Sequence, residues 1–539
     1  MRIAEGGPQK GAPGTQTIAD PLVFRSAWPA LIAGGLALAL YARTLAPGLT
    51  WAHNGADGGD LLAAALTHGV PHPSGYPAYQ LLLASALKLA PGEPARIGNW
   101  LSAICAVLAV MLLTDLARRT LAEQRWRNIA ALSAGLVFAT SPGLWSQAVI
   151  TEVYTLNALA AVLLLWLMWR WREAAVAGRR TWLWLTGASL ALGLGLGNHL
   201  TLALMLPGLI VWMWPRWRTV LRQGSWQTRV LPLAGLALGL ATYAYLPWAA
   251  SRVPPVNWGD PSTPGGFTWL ASGALYRDLV FGVPLDYLPG RLVAWATEAG
   301  RQLGGGAWGA LIALLGLWRL ERTDRAWWWT TLLVALAYTA YAISYNSADS
   351  SVYLIPAWTV ACLWFAQGIA WIAERLAAWR GQRWAVAGLI VLALSLPLIA
   401  AARHWPQMDL SRDRAAQDFV EAALATAAPG AVILVGGDEP TFALWYARYG
   451  LQQRSDLTPV NVHLYGFPWY QASLLRHHPV LAAVAIQGSV APEGTPPPLE
   501  DFVVEAARRW PLYRAEALDG VVAGLSEAPD GVLVRLGAP

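Results

Sequence analysis

The chain has 539 residues, 56% of them hydrophobic and 13% charged, with a mean hydropathy of +0.39. Soluble proteins carry about 25% charged residues, so a soluble enzyme, a disordered or collagenous chain and a disulfide scaffold are excluded, and a polytopic membrane protein is indicated. The net charge of +6 marks no nucleic-acid surface, because the arginines fall in short clusters between apolar segments.

Residues 1–25 are polar and rich in Gly and Pro, with Arg2, Lys10 and Arg25, and read as a disordered cytoplasmic tail. A membrane span needs about 20 mostly apolar residues. Windows of that kind fall at 28–45, 97–117, 128–146, 149–169, 182–198, 199–214, 229–250, 305–319, 328–345, 352–374 and 384–402. About eleven transmembrane helices are therefore expected. No small-residue cleavage site follows the first window, which reads as an uncleaved anchor. Cys105 and Cys362 lie inside apolar runs and form no disulfide framework.

Orientation follows from the bias of Lys and Arg in short loops. Arg118, Arg119, Arg125 and Arg127 follow the second window, and Arg170, Arg172, Arg179 and Arg180 the fourth. Arg216, Arg218, Arg222 and Arg229 follow the sixth, Arg319, Arg322 and Arg325 the eighth, and Arg375, Arg380 and Arg383 the tenth. Every second loop is basic, which predicts a cytoplasmic N-terminus and an external segment after residue 403. The expected organisation is a transmembrane domain over 26–403, with long external loops at 46–96 and 251–304, and an external domain over 404–539. Within the first loop, Asp60–His68 and Pro77–Leu89 read as short apolar helices along the membrane surface. Most of the 32 tryptophans flank spans, among them Trp166, Trp169, Trp171, Trp212, Trp214, Trp217, Trp327, Trp328 and Trp329, as interfacial anchors do.

The tail alternates a helical stretch (Asp413–Ala427), an apolar run (Ala431–Val435), a second helix (Thr441–Tyr449) and strands at Val460–Leu464 and Gly531–Leu536. That pattern describes a small α/β soluble domain. Gly436-Gly437-Asp438 after a strand resembles a nucleotide turn, but the G-x-G-x-x-G spacing is absent.

Ionisable groups near lipid are expensive and mark function. Asp57, Asp60, Glu152, Tyr154, Asn198, His199, Asn257, Asp260 and Asp349 all fall on the external side of the predicted topology. A site at the external membrane face explains this. Each residue also has a structural reading. Asp57 and Asp60 are spaced like an N-cap and its N3 carboxylate; the same pair suits chemistry, or two ligands of a divalent cation. His72 sits in a rigid turn, Pro71-His72-Pro73-Ser74-Gly75-Tyr76-Pro77, of the kind a binding loop also needs. His199 also suits a hinge, and Glu152 a salt bridge.

Asn54-Gly55-Ala56-Asp57-Gly58-Gly59-Asp60 followed by Gly69-Val70-Pro71-His72-Pro73-Ser74-Gly75-Tyr76-Pro77 resembles a large bacterial family of multi-spanning proteins, long described only as a domain of unknown function. That family is related to a vertebrate protein O-mannosyltransferase and belongs to the GT-C superfamily of membrane glycosyltransferases. Its pattern is Asp-Ser-Gly-Glu, then Gly-Val-Ala-His-Pro-Pro-Gly-Tyr-Pro; here Asp60 stands for the Glu and Ser74 for the second Pro. The likeness continues through Glu152-Val153-Tyr154, Gly195-Leu196-Gly197-Asn198-His199, Tyr245-Leu246-Pro247, Pro254-Pro255-Val256-Asn257-Trp258-Gly259-Asp260, Tyr345-Asn346, Asp349 and Tyr353. It covers roughly residues 28–360 and, more loosely, the tail.

The resemblance implies a GT-C-like fold and an inverting transfer of a sugar, with mannose the candidate, from a polyprenyl-phosphate carrier to a protein or glycan hydroxyl at the external face of the plasma membrane. It makes Asp57 the general base and Asp60 the residue that positions that base or the acceptor. His72 and Tyr76 would shape the pocket, with Glu152, Tyr154, His199, Asn257, Asp260 and Asp349 as further binding residues. The family carries an arginine two residues after Tyr-Leu-Pro, where this chain has Ala249; Arg252 is the candidate substitute for holding phosphate. A divalent cation stays open as a cofactor. The competing class is a transporter or flippase for a lipid-linked sugar, which predicts internal repeats or broken midplane helices; neither is visible. A receptor-like relative without activity is kept open by the missing arginine.

Overall fold

The computed structural model describes residues 21–538 apart from 122–123, 380–382, 482–497, 519 and 521–523. Most of the polar tail expected over 1–25 therefore lies outside the described residues, and its last five residues already belong to the first helix. That helix, α1 (Pro21–Thr44), is followed by α2 (Asp57–Thr67), α3 (Pro77–Leu89) and α4 (Pro94–Thr120). The start of α4 has a local cause: Glu93 accepts a hydrogen bond from the Arg96 N–H at 2.6 Å, and Pro94 opens the helix where its missing N–H costs nothing.

Every window predicted to span overlaps a helix. Six described helices are long and apolar enough to cross a membrane: Pro94–Thr120, Tyr154–Val176, Trp226–Ala250, Arg325–Ser344, Ser350–Ala378 and Trp384–Met408. Two bent pairs, Arg127–Ala139 with Pro142–Ala148 at 60° and Leu285–Gln302 with Ala307–Thr323 at 91°, raise the number to eight if each is one span. Trp182–Leu196 and Leu200–Met213 are shorter apolar helices. Ser350–Ala378 is buried throughout its apolar stretch and forms the centre of the bundle.

Four of the five basic clusters meet at one end. Arg119 pairs with Glu173 at 3.0 Å, Arg319 with Glu374 at 3.2 Å, and Arg172 with Asp324. At the opposite end the Ala46 N–H bonds Val149 O, the Asn198 side chain bonds Val153 O, and the Leu410 N–H bonds Thr44 O. Long-range polar contacts thus place these loops at two opposite ends of the bundle.

Two expectations change. The predicted anchors Trp171, Trp212 and Trp327 are fully buried. Trp169 stacks on Trp212 at 5.8 Å, Trp212 meets Trp327 at 4.9 Å, and the Arg172 guanidinium lies about 5 Å from both Trp169 and Trp212. Indole rings that border a span also fill helix–helix gaps, and cation–π contact draws the arginine in after them. The helix expected at 60–68 does not lie along a lipid surface either. Leu61–Ala65 of α2 are buried, with Leu61, Leu62 and Ala65 packed against Tyr79 and Leu83 of α3 and against Ala443 and Tyr446 of the tail.

Among its described residues the tail carries a five-stranded sheet: β1 (Val432–Val435), β2 (Thr458–Asn461), β3 (Leu512–Arg514), β4 (Ser526–Asp530) and β5 (Leu533–Gly537), in the order β2-β1-β3-β5-β4. β1 is parallel to β2 and β3, while β5 runs antiparallel to β3 and β4. All four β1 residues are buried, as a central strand covered on both faces requires. β3 and β4 had no counterpart in the hydrophobic pattern: β3 has three residues, and β4 (Ser-Glu-Ala-Pro-Asp) is polar and exposed.

Candidate active site

Two long loops are locked together first. The Val70 N–H bonds Val256 O at 2.9 Å and the Trp258 N–H bonds Val70 O at 3.1 Å, a one-residue parallel bridge. Gly69 permits it: a Cβ there would sit 2.3 Å from Val256 O. The bridge delivers the Trp258 indole to Asp60.

Asp60 is fully buried and its carboxylate is saturated. Oδ2 accepts the His72 backbone N–H and the His72 Nδ1–H, each at 2.8 Å, and Oδ1 accepts the Trp258 indole N–H at 3.1 Å. With Nδ1 committed, His72 presents Nε2 to Asp57, whose Oδ2 lies 3.4 Å away. Asp57 is the first residue of α2, with Ala56 as N-cap and no side-chain capping bond. The capping-box reading of the pair therefore fails, since both carboxylates turn to His72 instead of to the helix N–H groups.

Burial pushes the Asp57 carboxyl up to about 6; His72 opposes the rise, and Asp438, Asp60 and Asp349 add to it. Burial works against charge on His72, but Asp57, the bond to Asp60 and Glu152 outweigh it and raise the imidazole to about 9. The two shifts favour an ionised Asp57 beside a protonated His72 at neutral pH.

Asp57 keeps 34% of its side chain accessible, on the wall of a cavity of about 780 Å³. His72, Tyr76, Tyr154, His199 and Asp349 line the same cavity. On the bundle side aromatic rings form a continuous wall: Tyr154 and Tyr353 lie 5.5 and 5.7 Å from His199, and Tyr345 lies 5.0 Å from Tyr353. The Thr201 N–H donates to His199 Nδ1 at 3.3 Å, so the neutral ring carries its proton on Nε2.

Other predicted residues stand elsewhere. Glu152 is buried behind the wall; one oxygen accepts the Val153 N–H at 3.1 Å and the other has no partner among the described residues. No ion pair of Glu152 exists among the described residues, so the salt-bridge reading fails. Asn257 donates to Asp260 at 3.3 Å, and Asp260 accepts from Ser262; both belong to a turn outside the cavity wall. Arg252 is also outside it, its guanidinium 4.5 Å above the Trp248 ring. The arginine on the wall is Arg277, bonded to Ser272 at 3.2 Å. No motif marked it.

The tail supplies the remaining wall through Asp438, Glu439 and Glu516. Gly436 and Gly437 N–H groups, at the turn that resembled a nucleotide loop, donate to the Glu516 carboxylate at 2.6 and 2.7 Å. An internal carboxylate occupies the place a phosphate takes in such turns. Phe442, from the Asp438–Trp445 helix, stacks on His72 at 6.2 Å. Among the described residues no group of three or more His, Cys, Asp or Glu is placed to hold a metal ion.

Residues 57–223 match the family described as protein O-mannosyl-transferase TMEM260 N-terminal domain, and residues 416–489 match TMEM260-associated domain 2. The chain is thus similar to TMEM260 proteins in two separate segments. Mouse (Mus musculus) protein O-mannosyl-transferase TMEM260 is 26% identical over 457 residues, covering 79% of this chain and 62% of the mouse protein, so the chain spans less than two thirds of that relative. ArnT from Cupriavidus metallidurans bound to undecaprenyl phosphate superimposes with a TM-score of 0.57 at 12% identity, covering 97% of this chain and 100% of ArnT. Apo ArnT gives 0.56 at 14% identity, over 96% and 99%. The fold is thus of the GT-C type. The TMEM260 N-terminal match begins at Asp57, one of the carboxylates on the cavity wall.

Proposed function

We propose that the chain is an inverting GT-C glycosyltransferase that moves mannose from a polyprenyl-phosphate carrier to an acceptor hydroxyl at the external face of the plasma membrane. One observation carries this reading: an accessible carboxylate, Asp57, sits on a cavity walled by membrane-bundle aromatics on one side and by the tail on the other. The name of the mouse relative supports mannose and a protein acceptor, and the ligand of the ArnT structure supports a lipid-phosphate donor.

In this mechanism the acceptor hydroxyl attacks the anomeric carbon while Asp57 takes its proton. The bond from that carbon to the carrier's phosphate oxygen breaks, and its electron pair leaves with the phosphate. A single displacement inverts the configuration. Arg277 is assigned to the leaving phosphate in place of Arg252, because only Arg277 lines the cavity. Asp438, Glu439 and Glu516 face the acceptor, which gives the tail a part in acceptor choice.

The topology belonging to this reading has eleven crossings, a cytoplasmic N-terminus, membrane residues over 26–403 and an external domain over 404–539. A transporter places its polar groups near the midplane between repeats; here they gather at one end of the bundle.

The test is transfer by the purified chain in nanodiscs from polyprenyl-phosphate mannose to a threonine peptide. Asp57→Asn is expected to insert and retain donor lipid while its rate falls at least about a hundredfold. No transfer by the unaltered chain, or near-normal transfer by Asp57→Asn, overturns the reading.

A further inference from the structure

The base on the cavity wall has a built partner. His72 is 4% exposed, Asp60 is wholly buried, and every polar contact of Asp60 serves to fix or flank the imidazole. The ring is further sandwiched, with Phe442 parallel to it at 6.2 Å and Tyr76 edge-on at 5.0 Å. A histidine held this firmly by its Nδ1 has one free atom, Nε2, and that atom points at Asp57.

We infer, resting on the glycosyltransferase reading above, that His72 is the positioning residue of the base: pinned by Asp60 and held as an imidazolium, it keeps Asp57 ionised and occupies Oδ2, so that Oδ1 faces the acceptor. Asp60 acts only through His72. The arrangement answers an electrostatic problem. Asp57 shares the cavity with Asp349, Asp438, Glu439 and Glu516, and like charges drive a carboxylate toward its neutral form, in which it accepts no proton. One fixed cation beside it restores the anion. The second carboxylate, Asp60, keeps that cation charged against burial, as the buried aspartate does for the imidazolium of a Ser-His-Asp triad. No proton leaves His72 during turnover. Asp57 takes the acceptor's proton and returns it to solvent through the open cavity.

The groups facing the trio define its titration. His72 faces Asp57 and Asp60 of α2, Glu152, His199 and the tail's Asp438; Asp57 faces in addition Asp349 and Tyr276. Asp57 must be ionised, so activity rises with pH through about 6. His72 must be protonated, so activity falls with pH through about 9.

The experiment is the pH profile of kcat/KM for the full chain in nanodiscs, with polyprenyl-phosphate mannose and a threonine peptide. The unaltered chain is expected to give a bell. His72→Gln is expected to lose the alkaline limb, to shift the acid limb upward and to fall at least about tenfold at neutral pH, with donor lipid still bound by native mass spectrometry. Asp60→Asn is expected to move the alkaline limb down toward neutral pH. A purely structural role lowers thermal stability or donor retention and leaves both limbs where they were. An alkaline limb absent from the unaltered chain, which needs no variant to fold, overturns the inference; so does a folded His72→Gln with the normal profile. Either result with Asp57→Asn inactive leaves the base assignment standing, whereas an active Asp57→Asn removes the glycosyltransferase reading itself.

Discussion

Asp57 and Asp60 lie three residues apart on one helix, yet one is partly open to a cavity and the other has no accessible surface. Their variants separate accordingly. Asp60→Asn keeps the shape of the side chain but turns one of three acceptor positions into a donor aimed at existing donors. A buried polar mismatch costs about 1–3 kcal/mol, so Asp60→Asn is expected to lower thermal stability by that amount. Asp57→Asn leaves the start of α2 intact, since Ala56 is the N-cap, and is expected to cost less than Asp60→Asn because the new amide stays open to the cavity. Thermal unfolding of the two variants in the same detergent checks this; equal loss would mean that Asp57 is structural too. The motif and spacing made both aspartates and His72 legible in sequence. Their bonding was not, because the partner that completes it, Trp258, lies 198 residues away.

At the scale of elements, the site depends on how closely the tail helix Asp438–Trp445 approaches α2. A Cβ on Gly59 would lie 2.6 Å from Phe442 O and 2.7 Å from its carbonyl carbon. Backbone cannot yield as a flexible side chain does. Gly59→Ala is therefore expected to cost about 1–3 kcal/mol, to expose the tail to limited proteolysis and to reduce transfer. Gly265→Ala, whose Cβ meets nothing within 4 Å, serves as the control and is expected to change neither. A harmless Gly59→Ala would show that the tail tolerates displacement from α2. The close approach also explains why the helix expected on the membrane surface is buried: its apolar face is covered by protein from both sides.

For the whole molecule, the decisive fact is that the tail and the long loop after α1 share one end of the bundle while four arginine loops share the other. Sidedness then follows from a pair of single cysteines, because Cys105 and Cys362 are buried. Glu421→Cys, exposed on the tail, is expected to react with an impermeant maleimide in intact cells, and Arg179→Cys only after permeabilisation. The reverse pattern would put the cavity on the cytoplasmic side and remove the external-face mechanism. The sequence by itself determined the apolar segments, the alternation of basic loops and the motif residues around Asp57. These are local consequences of lipid, which requires each 20-residue stretch to satisfy its own backbone and leaves charge to the loops. Only the tertiary structure decided that Arg277 lines the cavity and Arg252 does not, that Glu516 fills the Gly436–Gly437 turn, and that Trp212 and Trp327 are packed inside. Those outcomes turn on contacts between segments far apart in the chain, where neither hydropathy nor spacing carries information about which side chains meet.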